Sequence, residues 1–228
     1  MKKIVLATAA TLALSTSGIA FDLVGENEDI LIRIGADIEG SQDDLKLVPS
    51  TTNKYTGTEQ NMAFELAVGL EEKVEDFKFG TRKMLSLYDD GDVVVHNGGL
   101  LTNVSNTGVE ATYEVYFKAT KYAKPYIGLG FGINQQKVDL DARDGVLPEV
   151  TYDRDQTKYT PTAQLVAGIT GEFGLGIGYY INAKYRLADK SSTSIPFKEG
   201  GGASVSSKIV DVDGVSGAQY IVGLSYQF

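Results

Sequence analysis

AQYIVGLSYQF, residues 218–228, is the stretch that decides the fold. Its even-numbered residues are apolar or aromatic, and its odd-numbered residues are polar or glycine, with Ile221 as the exception. A period of two residues is typical of a β-strand with one apolar and one polar face. At the edge of a soluble sheet such a strand would invite aggregation. The same strand is stable where it closes a barrel in a membrane, because closure pairs every backbone group.

The first twenty residues, 1–20, are interpreted as a secretory signal peptide. Lys2 and Lys3 precede an apolar run from Ile4 to Leu14, and small residues follow it. The run is too short to span a bilayer as a helix, and the pattern is that of an exported protein. The remaining residues, 21–228, are predicted to form one outer-membrane β-barrel domain.

Seven further segments repeat the alternation of the last strand. The eight predicted strands lie near residues 30–39, 61–71, 77–87, 109–118, 127–134, 162–170, 177–187 and 218–228. Long polar connections, predicted at 40–60, 89–107, 135–161 and 188–216, alternate with short turns near 73–75, 119–123 and 173–175. Short turns at one end and long loops at the other are typical of outer-membrane barrels. We therefore predict an all-β fold, a transmembrane eight-stranded antiparallel up-and-down β-barrel.

Alternation alone does not say which face of the strands is inside. A soluble lipocalin-like barrel is apolar inside, whereas a membrane barrel is apolar outside. The signal peptide, the loop lengths and the aromatic terminus favour the membrane type, so Phe64, Leu129 and Val222 should face lipid. Lys83 falls on the same outward parity, which predicts either a bulge near Arg82 and Lys83 or a lysine that reaches the headgroups.

Composition and charge exclude several classes of function. The formal net charge of −9 argues against nucleic acid as a partner. The chain has no cysteine and a single histidine, His96, so no metal cluster built from these residues and no cofactor is expected. The acidic clusters of the predicted loops are interpreted as solvated charge, with weak calcium binding as the alternative.

The chain resembles the small eight-stranded outer-membrane barrel superfamily, which includes the OmpA transmembrane domain, OmpX, OmpW and the opacity proteins. The resemblance covers residues 29–228 and is most specific in YIVGLSYQF, residues 220–228, and KPYIGLGFG, residues 124–132. It implies that Tyr226 and Phe228 belong to a signal read by the barrel-assembly machinery. It also implies a monomer at the cell surface, in contact with outer-membrane lipid and lipopolysaccharide. The absence of tryptophan is a departure, since tyrosine and phenylalanine must then form the interfacial girdles.

The inward parity carries charges that predict a polar cluster in the lumen. A short turn after the second strand would place Glu65 opposite Arg82, with Glu114 at a similar depth. Arg33 and Lys184 are expected to point inward as well. Charges in such an interior must be paired or hydrated. A plug of salt bridges and a narrow conducting path both remain open, and the plug is favoured because eight strands leave an interior only wide enough for side chains.

Three functions follow from this sequence. The first is a non-enzymatic outer-membrane protein with a structural or surface-interaction role, whose loops could hold a surface ligand. The second is a narrow, porin-like channel for small or apolar solutes. The third is a lipid A-modifying enzyme that would use His96, which is disfavoured because His96 is predicted to lie in a flexible loop. Two G-x-G-x-G runs, at residues 128–132 and 174–178, lack the strand–turn–helix context of a nucleotide site. Inward glycines that make room for larger lumen side chains are the better explanation.

Overall fold

The computed structural model describes residues 28–38, 58–60, 63–73, 78–97, 100–142, 155–188 and 217–228. The predicted signal peptide, 1–20, lies outside the described residues, as do most of the predicted connections 40–60 and 188–216. Within the described ranges, no helix is long and apolar enough to cross a membrane.

Nine antiparallel strands make up the sheet in the described part of the chain. They are β1 (Glu28–Asp37), β2 (Thr58–Gln60), β3 (Phe64–Glu72), β4 (Phe79–Asn97), β5 (Leu100–Phe117), β6 (Lys124–Ala142), β7 (Asp155–Gly174), β8 (Ile177–Ala188) and β9 (Gly217–Gln227). Strand β1 pairs with β3 on one side and with β9 on the other, which closes the sheet into a barrel. Strand β2 pairs with β4 in the same register as β3, so it continues β3 and the barrel has eight strands.

The outer surface of the barrel is apolar, as the assignment to a membrane barrel predicts. Phe64, Leu129 and Val222 are 49%, 63% and 39% exposed, and the charged residues of the opposite parity are buried inside. A water-soluble barrel would have the reverse arrangement. Because large apolar side chains cover the outside and ionised ones fill the inside, the fold is that of a membrane-spanning barrel.

Two ends of the barrel can be told apart. At the inner end, β1 begins, β9 ends, and the connections 73–78, 118–123 and 175–176 join neighbouring strands. The opposite end, where β3 begins and β8 ends, is called the outer end. The predicted turn at 73–75 is too short, because β3 ends at Glu72 and β4 begins only at Phe79, which leaves residues 73–78 as the connection.

Two of the predicted long loops are wrong. Strands β4 and β5 are paired up to Asn97 and Leu100, so residues 89–107 are almost entirely strand. Strands β6 and β7 are likewise paired up to Asp139 and Asp155, inside the predicted loop 135–161. These extensions continue the backbone ladder past the strand ends predicted from the apolar alternation. In β4 the alternation fails, because Val93, Val94 and Val95 follow one another. In β6 residues 137–142 still alternate, but the apolar residues change to the parity of the buried Asn134 and Gln136. A search for alternation on a single parity therefore finds only part of each strand.

Strand β4 contains one shift in its pairing with β5, and this shift does not lie near Arg82 and Lys83, where a bulge was one of the two alternatives. The pairing of β4 with β5 is continuous from Phe79 to Asp89 and shifts between Asp89 and Asp92. The ladder runs through Lys83 without a bulge. Lys83 faces outward, and its Nζ lies 3.5 Å from Glu28 Oε1 at the inner end of the barrel. The second alternative, a lysine that reaches toward the interface, is the one the structure supports.

Tyrosines and glycines fit together inside the barrel. Tyr116 is directly opposite Gly80, and a Cβ added to Gly80 would lie 2.3 Å from the Tyr116 hydroxyl. Tyr88 covers Gly108 in the same way. The inward glycines of β6 also make room for lumen side chains, as predicted, and Gly132 is close to the side chain of Glu110.

The second glycine run has a different role. Gly174 and Gly176 lie at the turn between β7 and β8 and have positive φ angles of 126° and 76°, and Leu175 between them has a φ of 55°. Glycine adopts positive φ angles at little cost, which explains Gly174 and Gly176, whereas Leu175 is the one non-glycine residue with a positive φ in the described part of the chain. Within this run, Gly178 alone faces into the barrel, close to Ser225.

Candidate functional site

The lumen is the candidate site, because it holds the charged side chains that the fold removes from water. Among the described residues, ten acidic and basic side chains are buried there, each at most 7% exposed. Four are basic and six are acidic: Arg33, Arg82, Lys184, Arg186, Asp37, Glu65, Glu71, Asp90, Glu110 and Glu114. Buried charges are tolerated only when they are paired and hydrogen-bonded, so their partners decide what the lumen can do.

The lumen ion pairs form two layers along the barrel axis. The layer nearer the inner end, called the inner layer, is built around Glu114. Arg33 donates two hydrogen bonds to Glu114, of 2.7 and 2.9 Å, in a bidentate arrangement. Arg82 donates to Glu71 at 2.7 Å and lies 3.7 Å from Glu114. The guanidinium of Arg82 also lies 4.3 Å from the ring centre of Tyr116. A planar guanidinium can bind a carboxylate through two parallel hydrogen bonds and stack on an aromatic ring, and the two arginines of this layer show these two arrangements.

An outer layer connects five side chains from four strands. Lys184 donates to Glu65 and lies 3.6 Å from Glu110. Arg186 donates to Glu110 and to Asp90, each at 2.7 Å. Acids and bases alternate along this chain of contacts, so each of its two basic groups touches two carboxylates.

The irregularity in β4 supplies one member of the outer layer. Gly91 has a φ of 77°, a conformation that favours glycine, and its N–H donates to the Asp89 carboxylate at 2.9 Å. Asp90, next to it, is buried and accepts hydrogen bonds from Arg186 and from the Gln219 amide, each at 2.7 Å. The bulge therefore holds a carboxylate at the outer mouth of the lumen.

Polar side chains outside the two layers also bridge strands. Arg186 lies 3.8 Å from the ring centre of Tyr88, and the Tyr88 hydroxyl donates to Asn134 at 3.1 Å. Asn134 in turn donates to Asn106 at 3.2 Å. These contacts continue the packing of the outer layer toward the outer mouth.

The inner mouth carries its own ion pairs. Lys73 forms a salt bridge with Asp29, which also accepts a 2.6 Å hydrogen bond from the Gln227 amide. The hydrogen bond to Asp29 raises the pKa of Lys73, which lies in the turn outside the strands. Lys124 pairs with Glu172 at the same end. Charged side chains thus line both mouths of the barrel.

The five residues predicted for the lumen cluster are all buried inside the barrel, but their pairing differs from the prediction. Glu65 lies opposite Tyr88, and Arg82 lies opposite Glu71 and Glu114. The placement of Glu65 opposite Arg82 is wrong because the turn between the two strands is longer than expected, which moves the register by about six residues.

Four members of the two layers were not singled out from the sequence. Glu71, Glu110 and Arg186 lie on the polar parity of their strands, and this parity is the signal that could have found them. Asp90 fell within a predicted loop, so no pattern placed it inside.

The residues of the predicted assembly signal lie at the inner end. The rings of Tyr226 and Phe228 contact each other edge to face, with centroids 4.6 Å apart, and both are exposed on the outer face. The Phe228 N–H donates to the Ile30 carbonyl at 3.0 Å, which ties the last residue to β1. Recognition of this pair by an assembly machinery stays a prediction.

His96 is not in a loop. It lies within β4 and pairs with Leu101 of β5, which corrects the flexible placement expected for it. In the parts of the chain that the structure describes, no group of three or more histidine, cysteine, aspartate or glutamate side chains is arranged to hold a metal ion.

Comparisons with known proteins agree on the architecture. No family model and no curated protein sequence matches the chain. Among solved structures, OprG from Pseudomonas aeruginosa aligns over 90% of this chain and 98% of its own, with 17% identity and a TM-score of 0.51. A major outer membrane protein from Thermus thermophilus aligns over 88% of this chain and 99% of its own, with 13% identity and a TM-score of 0.50. The chain has the fold of the small outer-membrane barrels. At these identities the likeness concerns the fold alone.

Proposed function

We propose that the protein is a non-enzymatic outer-membrane barrel with a closed lumen, which serves a structural or surface-interaction role in a Gram-negative-type envelope. The observation that carries this proposal is the crossing of the lumen by ion pairs at two levels. Export would depend on the segment 1–20, and the outer-end connections would present any ligand-binding surface. The partners proposed are outer-membrane lipid, lipopolysaccharide and the barrel-assembly machinery, which would read Tyr226 and Phe228.

Some of the ion pairs cross the barrel, whereas Arg82 pairs with Glu71 and Glu114 on its two neighbouring strands. Arg33 on β1 binds Glu114 on β5, and these strands are separated by three steps around the barrel. Arg186 on β8 binds Asp90 on β4, four steps away and therefore on the opposite wall. Because an eight-stranded barrel has an interior only wide enough for side chains, two such layers leave little room for a solute.

Conductance in planar bilayers tests this proposal. The purified chain, refolded and inserted, should give no stepwise current at neutral pH and moderate salt. Insertion is verified in the same preparation by heat-modifiable gel mobility, since a closed barrel resists unfolding by detergent. Regular conductance steps would favour the second candidate, a narrow channel for small or apolar solutes, and would contradict the closed lumen.

Location is tested separately from conductance. We expect the protein to fractionate with the outer membrane after expression in a Gram-negative host, and to lose residues 1–20 on export. Recovery in the soluble fraction as a folded protein would contradict the proposal.

The lipid A-modifying alternative rests on His96. If the protein were such an enzyme, His96→Ala would change the acylation of lipid A in cells that express it. We expect the lipid A mass spectrum to be the same for the variant, the unaltered protein and an empty vector.

A further inference from the structure

We propose that the lipid-facing side of β1, β3 and β4 binds a phospholipid headgroup that carries an ethanolamine ammonium. The site lies at the inner end of the barrel, where β1 begins and β3 ends. The site consists of Glu28, Glu72 and Lys83. This inference rests on the proposed function, because it requires the apolar belt to lie in a bilayer.

Lys83 is the feature that calls for a partner. It lies on the outward, lipid-facing parity of β4, with Leu70 and Tyr113 directly across from it on the two neighbouring strands. Its side chain is 57% exposed. A lysine on the lipid face costs about 2–4 kcal/mol at the bilayer midplane and much less near the interface, so its ammonium must reach polar groups at the membrane boundary.

Two carboxylates provide only part of that environment. Lys83 Nζ lies 3.5 Å from Glu28 Oε1 and 4.0 Å from Glu72 Oε2, which are long separations for ion pairs. An ammonium group has three donors, so further acceptors can be bound. Glu72 is itself 46% exposed at the end of β3. The Glu72 carboxylate also accepts a 3.4 Å hydrogen bond from the Thr81 hydroxyl, whereas the Glu28 side chain is only 18% exposed. The exposed ammonium of Lys83 and the exposed carboxylate of Glu72 therefore face the same stretch of membrane boundary.

The ligand that complements this pattern has an anion and a hydrogen-bonding cation a short distance apart. Phosphoethanolamine fits, with its phosphate on Lys83 and its ammonium on Glu72. A choline headgroup lacks N–H donors for the carboxylate, and a glycerol headgroup lacks the cation. Below the charged group, Tyr113 and Leu85 are each 50% exposed and offer an apolar surface to the acyl chains.

Competition between lipids tests the site. The full chain is inserted into vesicles with equal amounts of phosphatidylethanolamine, phosphatidylglycerol and phosphatidylcholine, then extracted with mild detergent, and the bound lipids are counted by native mass spectrometry. We expect phosphatidylethanolamine to be enriched about two- to fivefold, which is the range that exposed ion pairs support. Lys83→Gln and Glu72→Gln should each return the ratio to parity.

Lys121→Gln is the matched control, because Lys121 is an exposed lysine of the inner-end turn between β5 and β6. It should leave the enrichment unchanged. Equal retention of the three lipids, a preference for phosphatidylglycerol, or an equal loss in the Lys121 variant would each overturn the inference.

Heat-modifiable mobility is read in the same samples. A barrel that fails to insert counts against the proposed function, whereas insertion without enrichment counts against the lipid site alone. If Lys83→Gln does not fold, Glu72→Gln at the strand end decides.

Discussion

Arg186 shows how a single buried side chain can hold two walls of the barrel together. It reaches Asp90 on β4 and Glu110 on β5, and it stacks on Tyr88. Without Arg186, the Asp90 carboxylate loses its basic partner and keeps the hydrogen bond from the Gln219 amide. An uncompensated carboxylate in a low-dielectric interior is far more costly than a missing ion pair at a surface.

Arg186→Met should therefore lower the free energy of unfolding by about 3–5 kcal/mol. The measurement is urea unfolding in lipid vesicles, followed by circular dichroism. Lys121→Met, at an exposed lysine, is the control and should change stability little. Asp90→Asn in the Arg186→Met background should recover part of the loss, and an undiminished loss in the double variant would argue against the ion pair as the cause.

A second residue-scale prediction concerns Gly80. A methyl group there would collide with the ring of Tyr116, and the nearest three atoms all belong to that side chain. Gly80→Ala should destabilise the barrel by about 1–3 kcal/mol, the usual cost of overpacking. In a double-mutant cycle, Tyr116→Leu should relieve most of that cost, and additive effects of the two changes would contradict the fit of ring to glycine.

At the scale of elements, the strands of the apolar belt were predictable and their extensions were not. Within the belt each strand has lipid on one side and the lumen on the other, which forces a period of two. Beyond it, Val93, Val94 and Val95 of β4 follow one another without alternation, and in β6 the apolar residues change parity between Ile133 and Val138. Register was also out of reach, because it depends on turn length, and an error in one turn displaced Glu65 from Arg82.

Hydrogen exchange tests the extension of β4 and β5. Backbone amides of residues 93–97 and 100–104 should exchange more slowly than those of an unstructured chain, because these residues are paired between the two strands. The same amides in the chain unfolded in urea serve as the reference for the unprotected rate. Exchange at that rate throughout 93–104 in the inserted barrel would restore the long loop predicted from the sequence.

The molecule as a whole is an apolar cylinder around a charged interior. The inside–outside assignment from the sequence is confirmed, although two of the four long loops that supported it are largely paired strand. The partners of the lumen charges were not predictable. Alternation fixes only that Lys184 and Glu65 point inward. Which acid meets which base depends on the curvature of the whole sheet, since the two residues are 119 positions apart in sequence.

The natural absence of cysteine makes the outer face testable with single reporters. In vesicles, Leu129→Cys should resist an aqueous maleimide, because Leu129 is 63% exposed on the apolar belt and would be covered by lipid. Thr157→Cys, exposed beyond the belt on β7, should react readily. Both should react after unfolding in urea, and rapid labelling of Leu129→Cys in the folded state would show that water, not lipid, covers the belt.

The long sequence separation of the lumen pairs has a consequence for the order of assembly. Arg33 and Glu114 are 81 residues apart, and Arg186 and Asp90 are 96 apart. A growing sheet of a few hairpins would hold these charges unneutralised on one face, so it could not rest stably in hydrocarbon. Insertion and closure must then proceed together, and a half-built intermediate should be found at the membrane surface rather than within it.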